Sequence, residues 1–284
     1  MSLYEALRDS IRAEAPVALA TVVELTDSTD WEIPPEPGEA LPRPGAKLLV
    51  RPGEPPLGTT GDADLDRVVA RDAFGALESG LSATRHYGRH GQANQREVAV
   101  FVEAFAPPPQ MVIFGAVDFT AALGRVAKVL GYRVTVCDAR PVFATPARFP
   151  MADEVVVDWP DRHLAKVGPD LGQRDAVCVL THDPKFDVPA ISAALATRVG
   201  YIGAMGSRRT HTDRTRRLLE AGVAEADLTR VMGPIGLDIG ARTPEETAVS
   251  ICAEIIALRV GGPKVAVPSL RDRAGPIHHD RLNG

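Results

Sequence analysis

From residue 111 onward, short apolar runs alternate with helical patterns, and this alternation most constrains the fold. "MVIFG" at 111–115 is followed by a helical pattern over 118–130 that stops at Gly131, and then by "YRVTVCD" at 132–138. "DEVVVDW" and "DAVCVL" follow, with a short helix predicted at 161–167 between them. A helix at 188–197 precedes "RVGYIG", and a long helix is predicted from Ser207 to Gly222. Apolar runs of this length, unbroken by polar alternation, suit strands buried on both faces, as in a parallel sheet with helices on either side. The expected class is therefore α/β, a doubly wound parallel sheet. Ligands of such sheets bind beyond the carboxyl ends of the strands, near the point where strand order reverses.

Pro107, Pro108 and Pro109 stand immediately before this alternation. Three consecutive prolines neither join a ladder nor continue a helix, so a domain crossing is expected here. Residues 1–105 are expected to form a small α+β domain, 106–263 the doubly wound domain, and 264–284 a mobile tail. The first half reads as helix 3–14, strand 16–24, strand 46–51, helix 62–79 and strands near 82–87 and 96–104. Between its first two strands, five prolines within 28–45 predict a long surface loop.

The final helix is signposted at both ends. "TPEE" at 243–246 is a capping box, with Thr243 as cap, Pro244 at the first helical position and Glu246 reaching back. "GGP" at 261–263 ends it. Ala248, Ile251, Cys252, Ile255 and Leu258 share one face, expected to bury against the sheet or against a partner chain in a homodimer. His278 and His279 fall in the tail, where a solvated role outweighs metal binding.

A net charge of −5 gives no general attraction to nucleic acid or an anionic membrane. "MSLYEALRDSIRAEAP" is an amphipathic, charged N-terminus without the apolar centre of a signal peptide. No apolar stretch approaches the roughly 18 residues of a membrane span. A cytoplasmic location is expected. Cys137, Cys178 and Cys252 are too few for a disulfide framework and sit in apolar surroundings, as small buried hydrophobes do. No Cys-x-x-Cys or His/Cys cluster suggests a metal site.

Four loops at strand carboxyl ends carry the candidate chemistry. "GAVDFT" begins like a dinucleotide-binding turn at Gly115, but Val117 and Thr120 stand where a G-x-G-x-x-G fingerprint has glycines. Val117 obstructs the approach of a pyrophosphate, and Asp118 would repel one. Asp138 ends the second strand, where an acidic residue can hold a ribose hydroxyl or merely start a turn. In "THDPKFD", His182 and Asp183 are candidates for ligand contact or proton transfer. In "YIGAMGSRRTH", Gly203 and Gly206 would allow close approach, Ser207 would cap a helix, and Arg208 and Arg209 would add two cations to its positive end. This is the best local phosphate site. "MGPIGLDIGA" holds Gly236 and Asp238 and reads as a wall for a flat ring or as a plain connection.

At these residues the chain resembles the XdhC/CoxI proteins, accessory factors of molybdenum hydroxylases such as xanthine dehydrogenase. "LTHDPKFDVPAI", "YIGAMGSRRTHTDRTRRL" and "PIGLDIGARTPEETAVSICAEIIA" match its signatures nearly residue for residue, and "PVALATVV" and "RPGAKLLV" look like its N-terminal domain. The resemblance implies a small domain followed by a Rossmann-like one. It also implies that the protein binds the molybdenum cofactor (a molybdopterin), protects it during sulfuration, and delivers it to the target enzyme. Implied partners are a xanthine dehydrogenase-like hydroxylase and a cysteine desulfurase. In "GTTGDADLDR" at 58–67, Asp64 stands where the family has a cysteine implicated in cofactor handling, and Asp66 where it has an acid. A hard carboxylate is a poor substitute for a soft thiolate toward molybdenum. The leading expectation is a cofactor-binding maturation factor rather than an enzyme. The alternatives are an NAD(P)-dependent oxidoreductase, which Val117 and Asp118 disfavour, and a degenerate paralogue that retains only partner binding.

Overall fold

The computed structural model describes residues 2–26, 41–93, 95–261 and 269–272. The proline-rich loop falls largely outside these residues, as do His278 and His279. The chain divides into two compact units, Met1–Pro107 and Pro108–Gly284.

The first unit is an antiparallel sheet with a helix on each face. Its elements are α1 (Leu3–Arg12), β1 (Val17–Leu25), β2 (Lys47–Val50), β3 (Leu57–Thr59), α2 (Ala63–Ser79), β4 (Ala83–Tyr87) and β5 (Val98–Phe105), and the strands lie in the order β3-β2-β1-β5-β4. The period-two pattern of β1 divides its side chains between the faces. Ala18, Ala20 and Val22 join Leu65, Val69 and Ala73 of α2 in one core, while Val17 and Leu19 pack with Ala6 of α1 on the other side. Asp62 caps α2 by accepting the Leu65 N–H at 2.8 Å, and Gly80 ends it in the left-handed conformation at φ +68°. The short β3 lacks the length and β-branched content that mark a strand in sequence.

The second unit contains β6 (Gln110–Phe114), α3 (Asp118–Val129), β7 (Arg133–Cys137), β8 (Glu154–Val156), α4 (Pro160–Val167), β9 (Ala176–Val179), α5 (Pro184–Leu195), β10 (Tyr201–Ala204), α6 (Arg208–Glu220), α7 (Glu225–Leu228), β11 (Val231–Met232) and α8 (Pro244–Gly261). All its strand pairs are parallel, in the order β11-β10-β9-β6-β7-β8. This is the doubly wound order of a Rossmann-like domain, and it reverses between β6 and β9. Met111, Ile113, Ala176 and Cys178 face a core shared with α3 and α8; Val112, Phe114, Val177 and Val179 face one shared with α4, α5 and α6. The central strands β6 and β9 thus bury both faces, which is why their sequences show no polar alternation, whereas the edge strand β8 is only half-buried. Among the described residues, no helix is long and apolar enough to cross a membrane.

Three local expectations are revised. The helix expected at 188–197 spans Pro184–Leu195, with Asp183 as its cap. Pro184 occupies the first helical position, where its missing N–H costs nothing, and Pro189 is accommodated one turn further on. Leu258 faces outward rather than into the core, whereas Ala248, Ile251, Cys252 and Ile255 are buried as expected, against the sheet and α3. Within the segment expected to be a mobile tail, Ser269–Asp272 pack on the domain: Leu237 and Ser269 form an antiparallel bridge, and Leu270 is buried.

Candidate ligand-binding site

The crevice at the β6/β9 reversal opens onto the turn after β6, where the chain satisfies its own polar groups. Gly115 has φ +108°, and a Cβ there would press on Thr181, so glycine is required. The Asp138 carboxylate accepts the Ala116 N–H at 2.8 Å and a paired grip from the Arg140 guanidinium at 2.9 and 2.8 Å, together with the Arg140 N–H at 2.9 Å. Burial pushes this carboxyl up. Its hydrogen bonds from Arg140 and Ala116 outweigh that and hold it below the usual carboxylate range. The Thr120 hydroxyl donates to the Gly115 carbonyl. Asp118, at the first position of α3, is exposed, and Val117 is half-buried. The first N–H of a would-be phosphate turn is therefore already taken by Asp138, which in turn is held by four donors.

The loops on the β10 side enclose a cavity of about 450 Å³. Phe119, Met205, Ile235, Leu237, Ile239 and Leu270 supply its apolar lining, and His182, Ser207, Asp238, Arg242, Thr247 and Ser250 its polar groups. Of the expected site residues, His182, Gly206, Ser207 and Asp238 meet here. The "MGPIGLDIGA" loop is thus a cavity wall, fastened to α8 by the Ser250 hydroxyl donating to the Leu237 carbonyl at 2.6 Å.

Ser207 caps α6, accepting the Thr210 N–H at 3.2 Å, and Gly206 enters the helix at φ +143°. Arg208 and Arg209 form the first helical residues, Arg208 half-buried and Arg209 exposed. They lie beside the cavity's Gly206–Ser207 edge rather than in its lining. Gly203 serves packing instead of ligand approach, since a Cβ there would strike Ile235 and Tyr201. Gly236 packs as well: it has φ +97°, a Cβ there would strike Ser250, and its N–H donates to Glu254. Asp183 caps α5 through the Lys185 N–H at 3.1 Å and pairs with the Lys185 ammonium at 3.4 Å, outside the cavity lining. Asp64 and Asp66 belong to the first unit. Asp64 is exposed and paired with Arg67 at 2.9 Å, while Asp66 accepts both the N–H and the hydroxyl of Thr60 at 2.6 Å, a structural use.

Three buried charged residues, Arg214, Asp187 and Glu254, support the site, and the sequence analysis singles out none of them. Arg214 of α6 donates to Asp187 of α5 at 2.8 Å and to the Met205 carbonyl at 2.7 Å, and Thr181 donates to the same Asp187. Burial pushes the Asp187 carboxyl up, and the Arg214 hydrogen bonds draw it back only in part. Glu254 of α8 accepts the Tyr201 hydroxyl at 2.7 Å, the Gly236 N–H at 3.0 Å and the Ser269 hydroxyl at 2.7 Å. A glutamate on the apolar face of α8, beside Ile255, is the sequence signal that marks it.

All three cysteines are buried and unpaired. Burial pushes the Cys137 and Cys252 thiols up to about 12, and Cys178 well above its ordinary value.

The second unit is thus a doubly wound α/β domain whose Ala116 N–H, in the turn after β6, is taken by Asp138, with a largely apolar cavity beyond β10. Residues 111–255 match the XdhC Rossmann domain, and the chain belongs to the XdhC family. It is 34% identical over 160 residues to a protein of Bacillus subtilis (strain 168) named as a probable xanthine dehydrogenase subunit, covering 56% of this chain and 46% of that protein. It is 28% identical over 160 residues to the molybdenum cofactor insertion chaperone PaoD of Escherichia coli (strain K12), covering 56% and 43% respectively. The match thus spans less than half the length of these curated relatives. A crystal structure described as a xanthine dehydrogenase from Bacillus halodurans shares the fold, with TM-score 0.51 and 21% identity over 94% of this chain and 98% of that one.

Proposed function

We propose that this protein holds a molybdopterin-type cofactor in the cavity of its second unit and passes it to a xanthine dehydrogenase-like molybdenum hydroxylase. The observation that carries this reading is the apolar cavity bordered by the Gly206–Ser207 start of α6 with Arg208 and Arg209 beside it. A flat pterin suits walls made by Phe119, Ile235, Leu237 and Ile239. Its single phosphate suits a helix start that carries two cations and no acidic residue in its first turn. His182 and Asp238, both in the lining, are the candidates for contact with the ring's polar edge. The names of the relatives, one a cofactor insertion chaperone and one a component of a hydroxylase, favour the same role.

The donor set fits the organic part of this cofactor and not a thiolate hold on its metal. Asp64 is a carboxylate, and the three thiols are buried with raised pKa values. Sulfur for the cofactor would therefore come from a partner, such as a cysteine desulfurase, and not from a persulfide on this chain. The same features favour a second reading, a paralogue that binds only its protein partners. Nicotinamide chemistry is disfavoured because Asp138 already occupies the Ala116 N–H and is itself saturated by Arg140.

Calorimetric titration separates the three readings. A molybdopterin or related phosphopterin is expected to bind at about micromolar Kd, and NAD(H) and NADP(H) no tighter than about millimolar, a gap of about 4 kcal/mol. Micromolar nicotinamide binding would promote the oxidoreductase reading. Binding of neither ligand would leave partner binding alone.

A further inference from the structure

The second unit carries a piece of chain outside the sheet and helices that contributes one residue, Leu270, to the cavity lining. Ser269–Asp272 is a single turn, with the Asp272 N–H donating to the Ser269 carbonyl at 3.0 Å. It is fastened to the second unit by the antiparallel bridge between Ser269 and Leu237 of the cavity lining, by the Leu270 N–H donating to the Gly236 carbonyl at 3.3 Å, by the Ser269 hydroxyl donating to Glu254 at 2.7 Å, and by an Arg271 guanidinium N–H donating to the Thr229 carbonyl at 2.9 Å. Leu270 alone of these four residues is buried, and its side chain forms part of the cavity lining.

We propose that Ser269–Asp272 is a releasable clasp that controls access to the cavity. The inference rests on the cavity being the ligand site, but its test needs no natural ligand. Among the described residues, one leucine and a few hydrogen bonds hold the clasp, against the conformational entropy of ordering four residues, so its docked and released states lie close in free energy. The wall beneath it keeps its own anchors. With the clasp released, the Gly236 N–H and the Tyr201 hydroxyl still hold Glu254, and Ser250 still holds Leu237. Release therefore uncovers the cavity without dismantling it. One Glu254 oxygen and the Gly236 and Thr229 carbonyls each lose a donor, and water can replace it at all three.

Amide hydrogen exchange on the full chain tests the first half of the claim. The Leu270 N–H should exchange at least 100-fold faster than the slowest amides of α8. Exchange at the rate of those amides would mean that the clasp opens only with the whole unit, and would overturn the proposal. The second half is tested with L270A and S269A and the apolar dye 1-anilinonaphthalene-8-sulfonate. Both variants should bind several-fold more dye than wild type while keeping its Tm within a few degrees. Unchanged dye binding, or a gain seen only with a collapsed Tm, would overturn it. A clasp that behaves as expected in a chain that binds no phosphopterin would instead fault the ligand assignment.

Discussion

Asp138 occupies the position where the acidic residue of a dinucleotide site meets a ribose, yet its hydrogen bonds run inward, to Ala116 and Arg140. Its carboxyl is held below the usual range, so the stability it contributes is complete above the unfolded value of about 3.9 and is lost as pH falls through the lower folded value. The Ala116 amide should report this. In an NMR titration its chemical shift should hold steady down to about pH 4 and move only below it, since ordinary aspartates titrate near 3.9. A midpoint at or above that value would show that Arg140 and Ala116 do not outweigh burial. At the other end of the site, replacing both Arg208 and Arg209 by alanine should weaken phosphopterin binding by about 2–4 kcal/mol, taking charge-assisted bonds at about 1.5–3 each and allowing for non-additivity. Calorimetry on the folded variant checks it, and unchanged affinity would remove the phosphate assignment.

At the scale of elements, the most legible parts were those whose local chemistry and tertiary role agree. The capping box of α8 forms as its sequence implies: the Glu246 N–H donates to the Thr243 hydroxyl at 3.1 Å and the Thr243 N–H to Glu246 at 3.0 Å. Thr243→Ala should therefore cost about 1 kcal/mol of stability, within the usual range of about 0.5–2 for a lost cap, read as a shift in urea midpoint at unchanged m-value. The parallel strands were equally clear because burial on both faces leaves an unbroken apolar run. Less legible was α5, whose two prolines resemble a break until Pro184 is seen at the first helical position. The cavity was legible only in part. Ser207 and Asp238 stand out as polar residues in glycine-bearing loops and His182 as the lone histidine beside an Asp-Pro turn, whereas Phe119, Ile235 and Leu270 look like any core residue. Only the meeting of α3, the β11–α8 connection and Ser269–Asp272 in space makes them a lining. The pairing of Arg214 with Asp187 was hidden for the same reason, since their sequence separation matches no local rule.

At the scale of the whole molecule, two separately cored units divide the family's features between them. The residues proposed to hold a pterin and its phosphate lie in the second unit, while Asp64, which the family resemblance sets against a cysteine, lies in the first. The burial of all three thiols reaches beyond the site. Cys137 and Cys178 are fully enclosed and Cys252 is 3% exposed, and a thiol must be both ionised and reachable to react. The folded chain should thus pass unmarked through iodoacetamide that alkylates a desulfurase's working cysteine within minutes. Under the carrier role proposed above, a brief alkylating pulse would silence a thiol-dependent sulfur donor and leave this protein intact, so a carrier step and a sulfur step could be timed apart in one tube.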